Sequence, residues 1–265
     1  MRTINVFSNN DDRSLEVKAL LKRKLEKSDF VVPGEFDEKA ELIICIGGDG
    51  SFLNTLHHYD FPEIPFIGIN TGHLGFFQEL HPDQLDEFIF KYKHDKYMTQ
   101  ELSTVRAVAT KGNKRTIYKG LNEMVLKSGN SRTIHLNISI GDSFIERFSG
   151  DGILVATPAG STAYNYSLGG SIVDPRLNLL QVTPIAPMNT TAYRSFTSSI
   201  ILPSDLSIKI HPENPDNEKI LVVTDGLESS QLNVDEITIE FSDSIVKLLR
   251  FENYDFWTKV KSKFL

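Results

Sequence analysis

The chain has 265 residues, 40% of them hydrophobic and 24% charged, so it is long enough for one large domain or two small ones, each with a real core. Its 35 Asp and Glu residues against 28 Lys and Arg argue against a broad surface for nucleic acid or an anionic membrane. The single cysteine, Cys45, excludes an intrachain disulfide and a cysteine zinc site, and we expect it in the core. No signal-peptide core or membrane-length apolar run occurs, so a cytoplasmic protein with no membrane partner is expected.

The first 97 residues alternate between strand and helix patterns. Strands are predicted over residues 3–8, 42–46 and 65–70. Helices are indicated by apolar residues at helical spacing: Val17, Leu20, Leu21 and Leu25 in one, and Leu85, Phe88, Ile89 and Tyr92 in another. This alternation predicts a Rossmann-like α/β domain with a parallel, doubly wound sheet over residues 1–97.

From Met98 onward the pattern changes to short, β-branched segments separated by turn residues. The strand candidates are residues 104–110, 116–119, 124–127, 133–140, 143–148, 153–156, 197–202, 206–211, 220–224 and 237–241. They predict a β-sandwich or similar all-β domain over residues 98–250. The tail, 251–265, is aromatic and basic, and we expect it to pack back onto the first domain, with a partner-binding helix as the alternative.

A glycine-rich loop, Gly47-Gly48-Asp49-Gly50, follows the second strand. Glycines let backbone amides approach a ligand, and a helix beginning at Ser51 adds a positive dipole end, so the loop suits phosphate. Asp49 would repel that phosphate unless it acts on a neighbouring hydroxyl or helps to hold a metal ion. An ordinary turn is the alternative, but open α/β sheets bind ligands at such strand-loop-helix junctions.

A second dense segment, residues 149–164, joins a Gly-Asp-Gly turn, a strand and a run of small hydroxyl residues. Ser161 and Thr162 alone are typical of a helix N-cap, but the whole segment supplies amides and short donors that can approach a planar ring or a ribose. Asn122-Glu123 places an amide beside a carboxylate, a pairing suited to two adjacent sugar hydroxyls, although it is also common in turns. The aromatic pair at 76–77 suits either a base or core packing.

Several familiar motifs are absent. The sequence has no P-loop, no complete dinucleotide fingerprint, no H-E-x-x-H and no G-x-S-x-G. Any phosphate chemistry in this chain therefore uses another scheme.

Taken in order, these motifs resemble the NAD kinase family of bacterial type, enzymes that phosphorylate the 2′-hydroxyl on the adenosine ribose of NAD to give NADP. The matching segments are residues 47–50, 68–72, 74–76, 122–123, 150–152, 157–164, 167–170 and 222–226. The resemblance covers nearly the whole chain and implies an N-terminal α/β domain and a C-terminal β domain whose last residues return to the first.

Roles of individual residues follow from the resemblance. It implies that Asp49 is the general base, that Gly47, Gly48 and Gly50 shape the phosphate loop, and that Asn122 and Glu123 hold the ribose. Adenine contacts are implied for Thr162, Ala163, Tyr164 and Ser167. The full set implied to bind NAD is Asp49, Gly50, Phe77, Asn122, Glu123, Ser149, Asp151, Ala159, Thr162, Ala163, Tyr164, Asn165, Tyr166, Ser167, Ala186 and Asp225.

The resemblance also implies partners and cofactors. These are ATP as phosphoryl donor, with inorganic polyphosphate left open, and a divalent cation, Mg²⁺ or Mn²⁺. A homo-oligomer is implied, a dimer or tetramer in which Asp151 and Ala186 reach the nicotinamide end from a neighbouring subunit. Ser149 stands where many bacterial relatives carry an arginine, which leaves weaker NAD affinity or a substituted cation open.

Two alternatives stay open at this point. Lipid kinases of the diacylglycerol type share a related Gly-Gly-Asp-Gly loop, but they need a membrane-facing surface of which the acidic composition gives little sign. A dinucleotide-binding module that has lost turnover is the other alternative, and the intact Asp49 disfavours it.

Overall fold

The computed structural model describes residues 2–72, 75–130, 132–216 and 219–265, and of residues 228–232 only the backbone. His73 and Leu74, which fall in a predicted motif, therefore lie outside the described residues. By contacts the chain divides into an α/β unit, Met1–Leu102 with Ile245–Leu265, and a β unit, Ser103–Ser244.

The α/β unit begins with alternating strands and helices, as the sequence predicts. In chain order they are β1 (Arg2–Ser8), α1 (Asp12–Lys27), β2 (Phe30–Val31), β3 (Leu42–Gly47), α2 (Asp49–His58), β4 (Phe66–Asn70), β5 (Gln78–Leu80) and α3 (Leu85–Lys93). The parallel strands lie in the order β2-β1-β3-β4, and β5 also runs parallel to β4. The predicted parallel sheet is confirmed.

Helices cover both faces of this sheet. Leu21 of α1 and Phe88 of α3 share one core with the sheet residue Ile44. On the other face, the ring of Phe52 in α2 lies 5.1 Å from the ring of Phe66. The sheet is therefore doubly wound, and the chain leaves β1 toward one face and β3 toward the other.

One predicted core residue of α1 is wrong. Leu20 is 38% exposed, whereas Ser14 is fully buried. The buried stripe runs through Ser14, Val17, Leu21 and Leu25, at spacings of three and four residues. Leu20 lies one residue before Leu21, about 100° around the helix axis, and so turns toward solvent.

The β unit contains most of the remaining strands. In chain order the elements are β6 (Met98–Lys111), β7 (Lys114–Gly120), β8 (Glu123–Ser128), β9 (Ile134–Ile140), β10 (Ser143–Gly150), β11 (Gly152–Ala156), α4 (Tyr164–Ser167), β12 (Leu179–Ile185), β13 (Ile200–Pro203), β14 (Ile208–Pro212), β15 (Ile220–Thr224), β16 (Leu227–Leu232), β17 (Glu236–Arg250) and α5 (Phe256–Phe264). Strands β6 and β17 each run from one unit into the other, and α5 belongs to the α/β unit.

Two antiparallel sheets form the β unit. One has the order β13-β12-β11-β8-β15-β16, and the other contains β10-β9-β14-β17 with β6 and β7 beyond β17. A single core draws on both, with Leu126 and Val155 from the first sheet and Leu136 and Ile210 from the second. The predicted β-sandwich is confirmed, although β12 and β16 were not expected; β12 carries Pro184, which weakens its strand pattern.

The C-terminal tail returns to the α/β unit, as expected. Leu248, near the end of β17, pairs with Phe66 of β4. In α5 the ring of Phe256 lies 5.9 Å from that of Phe76, and the ring of Phe264 lies 6.0 Å from it. Cys45 is buried in β3, as expected. No helix of the described chain is long and apolar enough to span a membrane.

Candidate functional site

The Gly-Asp-Gly loop is tighter than the sequence suggests. Gly47 ends β3, Gly48 is the N-cap of α2 with extended backbone, and Asp49 is the first helical residue. The predicted helix start at Ser51 is therefore two residues late. Asp49 and Gly50 lie in the first helical turn, because one extended glycine is enough to join strand and helix.

Position 47 requires glycine for two reasons. Its φ of 145° is open mainly to glycine, and an added Cβ would overlap the Ser51 hydroxyl. That hydroxyl donates a hydrogen bond to Asn9 Oδ1, just beyond β1. The loop thus lies at the carboxyl ends of β1 and β3, where the sheet reverses its winding. Ligands of open α/β sheets bind at this kind of position.

The Asp49 carboxylate is held by two backbone amides. Phe76 N donates to Oδ2 at 2.8 Å, and Phe77 N donates to Oδ1 at 3.0 Å. A carboxylate offers about four acceptor positions, so these two donors leave capacity for an incoming hydroxyl. The side chain is 26% exposed. Its orientation is therefore fixed while its oxygens keep access to a ligand, which is what a general base requires.

Phe77 contributes differently from the implied NAD contact. Its ring is buried and stacks on Phe52 of α2 with centroids 4.8 Å apart. Its backbone amide is the group that reaches Asp49. Direct contact of the Phe77 ring with NAD stays a prediction.

Residues 76–79, which include the amides that orient Asp49, are held in turn by hydrogen bonds and an ion pair from the C-terminal tail. Arg250 Nη2 donates to Phe76 O at 3.0 Å, and Arg250 Nη1 pairs with Glu79 at 3.0 Å. Lys259 Nζ donates to Gln78 O and, at 3.4 Å, to Phe76 O. Sequence reasoning missed these residues. The only signal was the basic character of the tail.

Gly75 provides a test of this arrangement. A Cβ built on Gly75 would overlap the Asp49 carboxylate. We expect Gly75→Ala to push the carboxylate out of position and to lower turnover about 10-fold or more, because small misplacements of catalytic groups are costly. Steady-state kinetics would show the loss in kcat, with the KM for NAD within about threefold. Gly34→Ala, where nothing lies within 4 Å, is the matched control. Unchanged kcat in Gly75→Ala would contradict the account.

In the β unit, Asn122 and Glu123 lie in a turn fixed by Asp225. The Asp225 carboxylate accepts from the amides of Leu121 at 2.7 Å, Asn122 at 2.6 Å and Glu123 at 3.1 Å. Asp225 begins an Asp-Gly turn with φ of 52°, followed by Gly226 at 79°, which joins β15 to β16. Its carboxylate positions the Asn-Glu pair, while direct contact of Asp225 with NAD stays a prediction.

The Asn122 and Glu123 side chains carry oxygens suited to a ligand. They are 7% and 5% exposed, and Asn122 Oδ1 and Glu123 Oε2 have no hydrogen-bond partner within the described structure. Buried polar atoms without partners are rare in native proteins and often mark ligand sites. Burial, and to a lesser degree the charge of Asp225, raises the pKa of Glu123 to about 8. Two adjacent hydroxyls would satisfy both oxygens.

The raised pKa of Glu123 predicts that the stability of the fold depends on pH. Between about pH 4.5 and 8 the folded protein holds a proton on Glu123 that the unfolded chain has released, so stability falls as pH rises through this range. We compare the free energy of unfolding of Glu123→Gln with that of the unmodified protein. This difference should rise in favour of Glu123→Gln by roughly 1–3 kcal/mol from pH 5 to pH 8. Urea unfolding followed by circular dichroism at pH 5 and pH 8 measures this difference in stability.

A control separates this effect from general pH sensitivity. Asp142 is fully exposed, so Asp142→Asn should follow the stability of the unmodified protein closely at both pH values. A stability difference between Glu123→Gln and the unmodified protein that does not vary with pH would contradict the assignment.

The hydroxyl-rich segment packs directly on the Asn-Glu turn. Thr157 Oγ1 donates to Leu121 O at 2.6 Å, and a Cβ on Gly160 would overlap Asn122 O. The predicted helix start is a 3₁₀ turn, Ala159–Thr162, followed by the short α4. This contact brings the implied ribose and adenine residues together.

The residues of segment 159–167 that are implied to bind NAD differ in exposure. Thr162 is buried, Ala159, Ala163 and Tyr164 are half-buried, and Tyr166 and Ser167 are exposed. Asn165 is fully buried, and its Oδ1 accepts from Thr183 Oγ1 at 2.6 Å. Asn165 therefore ties α4 to the sheet, and its contact with NAD stays a prediction.

Asp151 and Ala186 lie apart from the Asn-Glu turn. Antiparallel β8 and β11 pair Glu123 with Ala156 and Lys127 with Gly152. Four residues of strand separate the two ends by roughly 13 Å. Asp151 and Ala186 are exposed, and Ser149 is buried with its amide donating to Ser195 Oγ at 3.2 Å. One copy of the chain does not bring these residues to the turn.

The described residues contain no group of three His, Cys, Asp or Glu side chains that could hold a metal ion. Mg²⁺ bound with substrate phosphates needs only one or two protein carboxylates, because phosphate and water oxygens supply the other ligands. The donor set around Asp49 is compatible with a cation that arrives with a nucleotide.

The α/β unit has a Gly-rich loop that carries a fixed carboxylate, and the β-sandwich has a buried Asn-Glu pair. Together these features are those of a two-domain phosphotransferase. Family models agree: the ATP-NAD kinase N-terminal domain matches residues 5–97, and the ATP-NAD kinase C-terminal domain matches residues 121–251. An NAD kinase of Finegoldia magna is 41% identical over 268 residues, covering 100% of this chain and 98% of the relative. The chain belongs to the NAD kinase family and is a kinase that phosphorylates NAD.

Solved structures agree with the fold. An NAD kinase from Archaeoglobus fulgidus in complex with ATP has a TM-score of 0.74 at 25% identity and covers 99% of both chains. The yeast NADH kinase complexed with NADH has a TM-score of 0.86 at 21% identity, covering 98% of this chain and 86% of its own. These relatives are kinases of NAD or NADH, so neither the lipid kinase nor the silent module is favoured.

Proposed function

We propose that this chain transfers the terminal phosphoryl group of ATP to the 2′-hydroxyl on the adenosine ribose of NAD, giving NADP, with Asp49 as the general base. The observation that carries this proposal is the Asp49 carboxylate, fixed by the amides of Phe76 and Phe77 at the start of α2. Phosphoryl transfer depends mainly on positioning and electrostatics. A fixed carboxylate aligns the hydroxyl and accepts its proton.

The acceptor is bound by the β unit in this proposal. Asn122 and Glu123 receive the adenosine ribose, which would satisfy their buried oxygens. The segment 159–167 contacts adenine, with Thr162, Ala163, Tyr164 and Ser167 as the contact residues. The packing of Thr157 and Gly160 on the Asn-Glu turn supports this division of roles.

The donor is ATP, with inorganic polyphosphate as an alternative that the geometry leaves open. The Archaeoglobus fulgidus relative in complex with ATP supports this choice. A divalent cation, Mg²⁺ or Mn²⁺, accompanies the donor and neutralises phosphate charge. In this proposal most ligands of the cation are phosphate and water oxygens. The amides of residues 47–50 and the start of α2 favour phosphate.

We further propose a homo-oligomer, a dimer or tetramer, and a cytoplasmic location. Asp151 and Ala186 are exposed, so they are accessible to a neighbouring subunit in this proposal. A single buried cysteine is in keeping with a reducing compartment.

The deciding experiment is direct. The purified protein is incubated with NAD, ATP and Mg²⁺, and NADP is detected with an NADP-specific dehydrogenase. We expect NADP to form in proportion to protein and time. Binding of NAD without NADP formation, across Mg²⁺ and Mn²⁺ and with either donor, would overturn the proposal.

A further inference from the structure

Helix α5 presents two lysines on the face that packs toward the Asp49 segment. Lys259 and Lys263 are four residues apart, so they lie one above the other on the helix. Phe256 and Phe264 of the same helix pack on the ring of Phe76. The helix is therefore anchored beside the segment that donates its amides to Asp49.

The two lysines have different surroundings. Lys259 donates to the carbonyls of Phe76 and Gln78 and is half-buried. Lys263 Nζ lies 3.9 Å from Asp49 Oδ2 and 4.7 Å from the centroid of the Phe76 ring. That distance to Asp49 exceeds hydrogen-bond length, and the Lys263 side chain is 38% exposed. Its ammonium group is thus placed beside the carboxylate and open to a ligand.

Charges around Asp49 favour an anion. Three cations, Arg250, Lys259 and Lys263, face two carboxylates, Asp49 and Glu79, which leaves one surplus positive charge in a chain of net charge −7. Arg250 and Lys259 are engaged with Glu79 and backbone carbonyls. Burial, then the charge of Arg250, lowers the pKa of Lys259 to about 8. Lys263 is the cation of this group that is open to a ligand.

The chemistry of the site needs such a cation. The amides of Phe76 and Phe77 point at Asp49 and are not available to phosphate. ATP with one bound divalent cation still carries net negative charge, so the Asp49 carboxylate repels donor phosphates that must lie close to it. An ammonium group between them offsets this repulsion and binds phosphate oxygens as a point charge.

We propose that Lys263 binds the terminal phosphates of the donor, a nucleoside triphosphate or a polyphosphate, next to Asp49. This inference rests on the proposed function, because it assigns the donor phosphates to the same site. The role of Lys263 in this proposal is electrostatic, as a point charge beside the phosphate oxygens.

The test compares variants of one helix. Lys263→Met keeps a long unbranched side chain and removes the charge, and Lys263→Arg keeps the charge. Lys261→Met removes an exposed charge two residues away. We expect Lys263→Met to raise the KM for ATP about tenfold or more and to weaken its dependence on salt, with the KM for NAD within about twofold. Lys263→Arg should retain most of the ATP affinity.

Several outcomes would overturn the proposal. These are a KM for ATP within twofold of the unmodified enzyme, an equal rise in the KM for NAD, or the same effect in Lys261→Met. A fall in kcat alone with a shifted pH profile would assign Lys263 to orienting Asp49 instead. If Trp257 fluorescence shows that Lys263→Met loosens α5, Lys263→Gln replaces it and the same criteria apply.

A direct measurement of ATP binding tests the role of Lys263 independently of the proposed function. Calorimetric titration of Mg²⁺-ATP into the protein without NAD should show about tenfold weaker binding in Lys263→Met. If the unmodified protein forms no NADP, the proposed function fails, yet this titration still decides the role of Lys263. Equal affinity in both proteins would overturn that role.

Discussion

Replacing Asp49 with asparagine is expected to lower turnover by about 10²- to 10⁴-fold while NAD binding stays largely intact, because a general base typically contributes a factor of this size. The carboxylate is fixed by two amides, so the loss falls on the chemical step. Steady-state kinetics with NAD and ATP give kcat, and calorimetric titration gives the affinity for NAD.

The asparagine also changes one local contact. Both carboxylate oxygens accept an N–H, so the asparagine amide nitrogen would face the amide of Phe76 or Phe77 as a second donor. Circular dichroism should show an unchanged fold, and Asp83→Asn, away from the phosphate loop, should keep full activity. Turnover of Asp49→Asn within twofold of the unmodified enzyme would remove Asp49 from its role.

Replacing Arg250 with methionine is expected to destabilise the α/β unit by up to about 3–5 kcal/mol, since it removes one partner of a buried ion pair. Among the described residues, the buried Glu79 carboxylate then keeps only the Phe251 amide at 3.0 Å and Lys259 Nζ at 3.9 Å. The Arg250 and Glu79 side chains are 3% and 7% exposed. Unfolding in urea can be followed through Trp257, the single tryptophan, which lies in α5 of the same unit. The urea concentration at the midpoint of unfolding should be clearly lower for Arg250→Met than for the unmodified protein.

The control for Arg250 is a surface pair of the same unit. Lys24 pairs with Asp86 at 2.5 Å, with side chains 29% and 81% exposed. Lys24→Met should cost less than about 1 kcal/mol. Equal losses in the two variants would show that burial of the Arg250–Glu79 pair does not matter for stability.

Much of the fold could be predicted from sequence because its signals are local. The apolar run before Gly47 and the helical spacing of Leu85, Phe88 and Ile89 require only near neighbours. The error at Leu20 arose from counting a fourth apolar residue into a stripe that Ser14 occupies. Strand β12 was missed because Pro184 interrupts its pattern.

Less of the candidate site could be predicted. Asp49, Asn122 and Glu123 were identified from motifs, but the groups that hold them come from distant parts of the chain. Arg250 lies 174 residues beyond Phe76, and Asp225 lies 103 residues beyond Asn122. No local pattern encodes these contacts, since they form only when the strands are paired.

The most direct test of the central claim is the position of the transferred phosphate. Phosphorus and proton NMR of the dinucleotide formed from NAD and ATP would locate the new phosphomonoester. We expect a single product phosphorylated at the adenosine 2′-hydroxyl. Asp49→Asn should form it at least about 100-fold more slowly, a factor typical of a general base. A phosphate on another hydroxyl, or a rate that Asp49→Asn leaves unchanged, would contradict the central claim.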